Sequence, residues 1–195
     1  MIDKHAMREE FRVLRRRAAQ KNADAAVQLL EVFHKECWPK LDWQENTIVA
    51  GYVAIGSEID PAPILKFLAT NYIPTALPLM RGAEDPLDFY PYQIGDRLSA
   101  DNPHKIPQPN EHQMRITPQV FFVPLWAFDR TGNRLGSGFG YYDRTLAAAR
   151  AKNKSTLAIG LAYAEQEVAQ IPAEPHDQRL NIIVTPREVI YCPDP

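Results

Sequence analysis

A glycine-rich stretch, residues 132–140, carries the clearest chemical signal in this 195-residue sequence. Four of the nine glycines fall there, in the run FDRTGNRLGSGFGYYDR, and a segment suited to a helix follows. Alternate glycines at Gly136, Gly138 and Gly140 allow positive φ angles that turn N–H groups toward one point, and a helix start adds partial positive charge. This arrangement predicts a phosphate cradle, to which Arg134 at its mouth can add a bidentate contact. A glycine-rich surface turn is the alternative, since the spacing matches neither the Walker nor the dinucleotide-binding pattern.

Basic side chains recur at helical spacing near the N-terminus. Lys4 and Arg8 lie one turn apart, and Arg12 with Arg15 or Arg16 extends the row. Residues at i and i+4 share a helix face, so a helix here would carry a cationic ridge beside its apolar stripe. A solvated charged face is the default interpretation of such a ridge, and anion binding is the alternative.

An acidic segment, residues 56–60 (GSEID), directly follows the apolar run TIVAGYVAI. The run predicts a buried parallel strand, and sites in α/β proteins form where such strands end. Ser57 and Asp60 can both cap a helix that begins at Pro61, whereas Glu58 can accept hydrogen bonds from the N–H groups of a ring. We assign the cap to Asp60 and the ligand contact to Glu58.

Strands and helices alternate along the rest of the chain. Helices are predicted at residues 4–19 (capped by Asp3), 23–37, 61–71 and 142–153 and near Glu165, and strands at 47–55, 73–80, 119–127, 155–162 and 180–185, with a hairpin around LDFYPYQI. This alternation implies an α/β fold, with a mainly parallel sheet covered by helices on both faces. We expect one Rossmann-like, three-layer domain over residues 1–195, with ligands at the carboxyl ends of the strands.

Composition and charge exclude several functional classes. Hydrophobic residues make up 45% and charged residues 24%, as in ordinary globular proteins, and a net charge of −2 gives no pull toward nucleic acid or an anionic membrane. No apolar run reaches the roughly 18–20 residues of a membrane span, and the N-terminal segment is too charged for a secretory signal. Cys37 and Cys192 fit no CxxC site or disulfide framework, which favours the reducing cytoplasm. We therefore expect a cytoplasmic monomer that acts on small molecules.

The run FDRTGNRLGSGFGYYDR closely resembles the signature of the 5-formyltetrahydrofolate cyclo-ligases, also called methenyltetrahydrofolate synthetases. The family pattern is aromatic-Asp-x-x-Gly-x-Arg-Leu-Gly-x-Gly-x-Gly-Tyr-Tyr-Asp, and nearly every position matches without a gap. Four further segments resemble the family in the same order: Lys4-x-x-x-Arg8, the strand end with Glu58, Ile106-Pro107-Gln108-Pro109, and Pro172-x-x-x-x-Asp177. The resemblance implies cyclisation of 5-formyltetrahydrofolate to 5,10-methenyltetrahydrofolate with ATP and Mg²⁺, releasing ADP and phosphate.

The resemblance also implies three groups of site residues. ATP is expected at Lys4, Arg8, Arg134, Leu135, Gly136, Ser137, Gly138, Phe139, Gly140, Tyr141 and Tyr142. Folate is expected at Val53, Glu58 and Tyr141, and Mg²⁺ at Asp143 and Asp177, whose carboxylates suit that ion. Arg12, Arg15, Arg16 and Arg17 are assigned to the solvated surface. We assign no catalytic nucleophile or base, because the reacting groups are all on the substrates and the protein positions them.

Three positions depart from the family pattern. Phe139 stands where many members have Lys or Gly, and Asn181 and Pro186 stand where many have Asp and Glu. Two other functions therefore remain as alternatives. One is a non-catalytic nucleotide- or ligand-sensing module, in which Phe139 would mark the loss of a phosphate-contacting side chain. The other is an enzyme on the similar sugar-phosphate isomerase or CoA-transferase-like folds, although Glu58 only loosely resembles the catalytic Glu of a CoA transferase.

Overall fold

The computed structural model describes residues 4–102, 105–110 and 114–193, which form a seven-stranded sheet with flanking helices. The helices are α1 (Lys4–Lys21), α2 (Ala25–Val32, continued by a π turn at Phe33–Cys37), α3 (Ala62–Thr70) and α4 (Tyr141–Lys152), with 3₁₀ turns at Trp38–Lys40 and Ala164–Gln166. The strands are β1 (Val49–Ala50), β2 (Thr75–Leu79), β3 (Asp88–Pro91), β4 (Val120–Val123), β5 (Ala127–Phe128), β6 (Arg134–Leu135), β7 (Leu157–Leu161), β8 (Ile182–Val184) and β9 (Val189–Tyr191). None of the helices in these ranges has the length and apolar character that crossing a bilayer requires.

The sheet is mainly parallel, as predicted. Its order is β3-β2-β1-β4-β7-β8-β9, in which the five central strands run parallel and the two edge strands, β3 and β9, pair antiparallel with their neighbours. All four residues of β4 are buried, which is why this strand is apolar throughout rather than alternating. Strands β5 and β6 form a separate two-stranded ladder.

Both faces of the sheet are covered, which confirms the three-layer α/β fold. On one face, Val120 and Phe122 pack into a cluster with side chains of α2 and α3. On the other, Phe121 and Val123 pack into a second cluster with Leu146 of α4. Successive side chains of a strand point to opposite faces, so these four residues divide evenly between the two layers.

Several element boundaries differ from the prediction. The strand predicted at 47–55 is only Val49–Ala50, and the backbone beyond it curves away to line a cavity. The run 119–127 is divided at Pro124, which has no N–H for a ladder bond. The segment LDFYPYQI contributes the single edge strand β3, paired with β2, rather than a hairpin of its own. Asp3, the predicted cap of the first helix, lies outside the described residues.

The first half of helix α1 packs over the small β5–β6 ladder, whereas Ala18 near its end joins a cluster on the main sheet. Met7 and Phe11 join Ala127, Leu135 and Ile171 in a third apolar cluster, apart from the two that cover the sheet. This docking places α1 beside the carboxyl ends of β1 and β4. The strand order reverses between those two strands, and such a reversal opens the crevice in which α/β proteins bind ligands.

Candidate functional site

A cavity of about 960 Å³ opens at the carboxyl ends of β1 and β4. Its walls come from α1, the segment after β1, the segment after β4 and the glycine-rich loop before α4. Every residue that the sequence assigned to ATP, folate or metal lines this cavity: Lys4, Arg8, Val53, Glu58, Arg134, Leu135, Gly136, Ser137, Gly138, Phe139, Gly140, Tyr141, Tyr142, Asp143 and Asp177. The fold thus brings together residues from both ends of the chain.

Of the three alternate glycines, Gly138 and Gly140 adopt the positive φ angles that other residues rarely take, whereas Gly136 does not. Gly138 has a φ of +99° and Gly140, at the start of α4, a φ of +70°. A Cβ on Gly138 would lie 3.3 Å from Cζ of Arg8, and one on Gly140 would lie 2.6 Å from an Arg144 nitrogen. No side chain in the described chain caps the first turn of α4, so its N–H groups and partial positive charge remain available to an anion.

The glycine-rich loop is stabilised by Asp129, the second residue of the run FDRTGNRLGSGFGYYDR. Only 1% of Asp129 is exposed, and its carboxylate accepts bonds from the backbone N–H groups of Thr131, Asn133 and Ile171 and from the Thr131 and Asn133 side chains. Burial alone raises the pKa of Asp129, but these hydrogen bonds outweigh it and the net pKa is lowered. Asp129 is therefore an ionised structural residue, a role that the sequence pattern did not reveal.

Two cations of α1 reach the loop side of the cavity. Arg8 donates from Nε to the carbonyl oxygen of Gly136 at 2.9 Å. Lys4 lies 2.8 Å from an Asp177 oxygen and 3.2 Å from a Glu174 oxygen. Burial lowers the pKa of Lys4, but the bonds and charges of the two carboxylates outweigh this and the net pKa is raised. Lys4 is thus a cation at neutral pH.

Arg134 lies beneath the loop, not at its mouth as predicted. Its side chain is 4% exposed, and it donates to Asp143 Oδ1 at 2.7 Å and to the carbonyl oxygen of Gln178. The Gln178 N–H also donates to Asp143 Oδ1, at 2.9 Å. The Arg134–Asp143 ion pair therefore joins the start of α4 to Gln178, the residue that follows Asp177.

The two aspartates predicted to bind metal have a donor set that fits Mg²⁺. Asp143 Oδ2 and Asp177 Oδ1 accept no hydrogen bond within the described chain, because all the bonds go to the other oxygen of each carboxylate. Burial raises the pKa of Asp177, but its bond to Lys4 and the Glu174 N–H outweigh this and the net pKa is lowered. Carboxylates with one uncommitted oxygen are the ligands that Mg²⁺ takes one or two at a time.

Glu58 forms the acidic end of the cavity. Its Oε2 accepts the Ile55 N–H at 3.0 Å, and its Oε1 lies 3.5 Å from Nη1 of Arg15. Burial raises the pKa of Glu58, and the Ile55 N–H and Arg15 oppose the rise only in part. Asp60 accepts the Ala62 N–H at 2.9 Å and caps α3 as predicted, which leaves Glu58 for the cavity.

The assignment of Arg15 to the solvated surface is wrong. Arg15 is 4% exposed, and its guanidinium lies 3.7 Å from the ring centroid of Trp126. The signal was present in the sequence, since Met7, Phe11, Arg15 and Ala18 follow helical spacing and form the buried face of α1. Trp126 was missed for lack of any motif around it.

Arg12, Arg16 and Arg17 are exposed, as predicted. Arg12 forms an ion pair with Glu9 at 2.8 Å, and Arg12 and Arg16 also line the rim of the cavity. Arg17 is exposed and lies outside the cavity lining. Arg17 is therefore the better reference for a cation that takes no part in the site.

The departures from the family pattern have different structural settings. Phe139 lines the cavity, is 57% exposed, and has its ring centroid 6.3 Å from that of Tyr141. Asn181 lies away from the cavity lining, where its Oδ1 accepts the Ala158 N–H and a bond from Arg150, both at 2.9 Å. Asn181 thus has a structural role between β7 and β8, whereas Phe139 lies within the site.

Gln108 is the one residue of the 106–109 stretch that makes a side-chain bond near the site. Its Oε1 accepts the Met80 N–H at 3.2 Å, and Ile106, Pro107 and Gln108 all line the cavity. The stretch therefore forms a wall opposite the glycine loop.

Comparisons with known proteins agree on one family. The family model described as "5-formyltetrahydrofolate cyclo-ligase family" matches residues 1–186. A 5-formyltetrahydrofolate cyclo-ligase of Mycolicibacterium smegmatis is 33% identical over 150 residues, covering 74% of this chain and 76% of its own. One of Escherichia coli K12 is 32% identical over 151 residues, covering 72% and 79%.

Two solved structures share the fold. A 5,10-methenyltetrahydrofolate synthetase of Aquifex aeolicus superimposes with a TM-score of 0.78 at 24% identity, over 98% of this chain and 94% of its own. One of Mycoplasma pneumoniae gives a TM-score of 0.72 at 22% identity, over 95% and 100%. At such identities the superpositions support the fold, while the family model and the sequence relatives support the family. The chain belongs to the 5-formyltetrahydrofolate cyclo-ligase family.

Proposed function

We propose that this protein is an enzyme that cyclises 5-formyltetrahydrofolate to 5,10-methenyltetrahydrofolate with ATP, releasing ADP and phosphate. One observation carries the proposal. A cationic, glycine-lined wall and a largely buried acidic side chain, Glu58, open into the same cavity of about 960 Å³. A nucleotide suits the cationic, glycine-lined wall, and the N–H edge of a pteridine suits Glu58. The size falls within the range of about 300–1,000 Å³ typical of small-molecule sites.

The nucleotide side rests on fixed cations and backbone N–H groups. Lys4 and Arg8 face the glycine loop from α1, and the uncapped start of α4 presents N–H groups beside them. Phosphate oxygens accept hydrogen bonds from both kinds of donor. Arg134 adds a further buried cation while it orients Asp143. The remaining predicted contacts to ATP are Leu135, Gly136, Ser137, Gly138, Phe139, Gly140, Tyr141 and Tyr142.

The folate side lies on the strand end after β1. Glu58 accepts pteridine N–H donors, and Val53 and Tyr141, which line the same cavity, are the further folate contacts. Mg²⁺ would be held by Asp143 and Asp177, and when bound it would neutralise phosphate charge. Cys37 and Cys192 are unpaired thiols whose pKa burial raises to about 12 and about 11, and unpaired thiols suit the reducing cytoplasm that we propose for this protein.

The chemistry needs positioning more than it needs a catalytic side chain. The formyl oxygen attacks the γ-phosphorus of ATP, ADP leaves, and an N-formyliminium phosphate forms. N10 then attacks the formyl carbon, the five-membered ring closes, the N10 proton passes to the phosphate or to water, and phosphate departs. Holding the two substrates in this geometry can supply on the order of 7–11 kcal/mol of the barrier reduction. The protein contributes by orienting the substrates and by neutralising the charge that moves during phosphoryl transfer.

The direct test is an absorbance assay for the methenyl product. With 5-formyltetrahydrofolate, ATP and Mg²⁺, the methenyl band should appear, and omission of ATP or addition of excess EDTA should abolish it. Product formation that EDTA leaves unaffected would contradict the metal assignment. Tight binding of ATP and folate without any product would instead support the sensing module, in which Phe139 replaces a phosphate-contacting side chain.

A further inference from the structure

The guanidinium of Arg15 joins the two segments that form the acidic end of the cavity. It donates from Nε to Ser57 Oγ at 3.2 Å and from Nη1 to the Leu125 carbonyl oxygen at 3.2 Å. Nη1 also lies 3.5 Å from Glu58 Oε1, and the ring of Trp126 covers one face of the guanidinium. Arg15 thus reaches from α1 to the carboxyl ends of both β1 and β4, where the strand order reverses.

Fold stability gives little reason for a cation at this position. A buried ion pair replaced by apolar residues of similar volume is often as stable, because the desolvation of the charges is avoided. The Leu125 carbonyl would keep its bond from Gln166 Nε2 at 2.8 Å if Arg15 were removed. What Arg15 supplies that an apolar residue cannot is positive charge beside Glu58.

Among the titratable groups that face Glu58 in the described chain, only Arg15 carries a positive charge. Glu58 faces Arg15 from α1, Tyr52 from the segment after β1, and Tyr142 from α4. Burial raises the pKa of both tyrosines, so both are neutral at pH 7. Within the described chain, Arg15 is the only cation paired with Glu58. The Ile55 N–H fixes one carboxylate oxygen, and Arg15 lies beside the other.

We propose that Arg15 is a positioning residue that keeps Glu58 ionised and correctly oriented for the N–H edge of the folate substrate. The inference rests on the proposed function, because it assigns Glu58 to that substrate. Arg15 touches no reacting atom and acts through Glu58. Loss of Arg15 removes a stabilising charge from a largely buried carboxylate, so Glu58 becomes protonated at a higher pH and then meets a ring N–H with an O–H donor.

The test compares Arg15→Met with Arg15→Lys in steady-state kinetics as a function of pH. At pH 7, Arg15→Met should raise the KM for 5-formyltetrahydrofolate by about 10- to 100-fold, as for loss of a charge-assisted hydrogen bond, with the KM for ATP nearly unchanged. The acidic limb of kcat/KM for folate should move to higher pH in Arg15→Met and stay close to the parent in Arg15→Lys. Arg17→Met, an exposed cation of the same helix, should match the parent.

A double-mutant comparison separates positioning from packing. If Arg15 acts through Glu58, then Arg15→Met should add almost nothing to the loss already caused by Glu58→Gln. An unchanged acidic limb in a folded Arg15→Met protein would overturn the proposal, as would additive losses in the double mutant. If Arg15→Met does not fold, Arg15→Gln takes its place with the same expectation. Failure of both neutral variants to fold, while Arg15→Lys folds, would show that the residue is structural.

The parent protein provides the check on the proposed function itself. A parent that forms no methenyl product refutes the cyclo-ligase activity and with it the role of Arg15. A parent that forms product, together with an Arg15→Met variant of unchanged folate KM and pH profile, refutes only the role of Arg15.

Discussion

Truncation of Arg8 to alanine should lower kcat/KM for ATP by about 10- to 150-fold. A hydrogen bond from a charged group to phosphate contributes about 1.5–3 kcal/mol, and this range of energies corresponds to that range of rates. Lys4→Ala should have a similar effect, with the addition that Asp177 and Glu174 lose the cation that now neutralises them. Arg8→Ala is the cleaner variant, because the one partner of Arg8 among the described residues is a backbone oxygen, that of Gly136. Steady-state kinetics with ATP as the varied substrate measure the effect.

Arg17→Ala is the matched control for these two variants. It removes a cation from the same helix at an exposed position outside the cavity, where a charge contributes less than about 1 kcal/mol. Alanine is the best helix former, so the melting temperatures of all three variants should stay close to the parent. Parental ATP kinetics in both Lys4→Ala and Arg8→Ala would mean that the ridge is a solvated face, and that the loop with Arg134 binds the nucleotide alone.

Replacement of Asp129 by alanine should destabilise the fold by about 3–5 kcal/mol, since several buried N–H donors lose their acceptor at once. In a chain of this size the corresponding fall in Tm is roughly 6–20 °C. Asp129→Asn should also be strongly destabilising, because its amide would present N–H to donors such as Ile171 N. Thermal or urea unfolding followed by circular dichroism measures the loss.

The stability that Asp129→Ala loses should become smaller as the pH falls into the acid range. The folded-state pKa of Asp129 is lowered, so its contribution is fully present above the ordinary Asp pKa of about 3.9 and is lost as pH falls through the folded value. The gap between parent and Asp129→Ala should therefore be constant near neutrality and narrow in acid. Asp24→Ala serves as the control, because Asp24 makes no capping bond and its loss should change stability by less than about 0.5 kcal/mol. An equal loss in Asp24→Ala and Asp129→Ala would contradict the role of the buried carboxylate.

The central strands could be predicted because strands that are buried on both faces consist of apolar residues. The run at 119–127 is apolar on both faces, as a strand covered by helices must be, and β4 lies within it. Strands β5 and β6 could not be found in this way, because two residues carry no periodicity. Likewise β1 ends early, at Ala50, because the path of the chain beyond it is set by the cavity and by the close approach of Leu65 to Gly51, which are tertiary effects.

The site could be predicted where a contiguous motif carries it. The glycine loop and Asp143 lie within one short run, and the fold adds Lys4, Arg8 and Asp177 from the two ends of the chain. The state of the cations was not predictable from local spacing. Whether an arginine is solvated, like Arg17, or buried against an aromatic ring, like Arg15, depends on which segment packs over it.

The separate docking of the first turns of α1 has a consequence for how the cavity opens. The first turns of α1 are anchored by Met7 and Phe11 on the β5–β6 ladder, so they can detach without disturbing the two clusters that cover the sheet. Such detachment would withdraw Lys4 and Arg8 together. Ligands that bind only the docked form must then stabilise it by mass action. We expect amide hydrogen exchange in the first half of α1 to be faster than in β4 and β7 in the ligand-free protein, and to slow when nucleotide and folate bind.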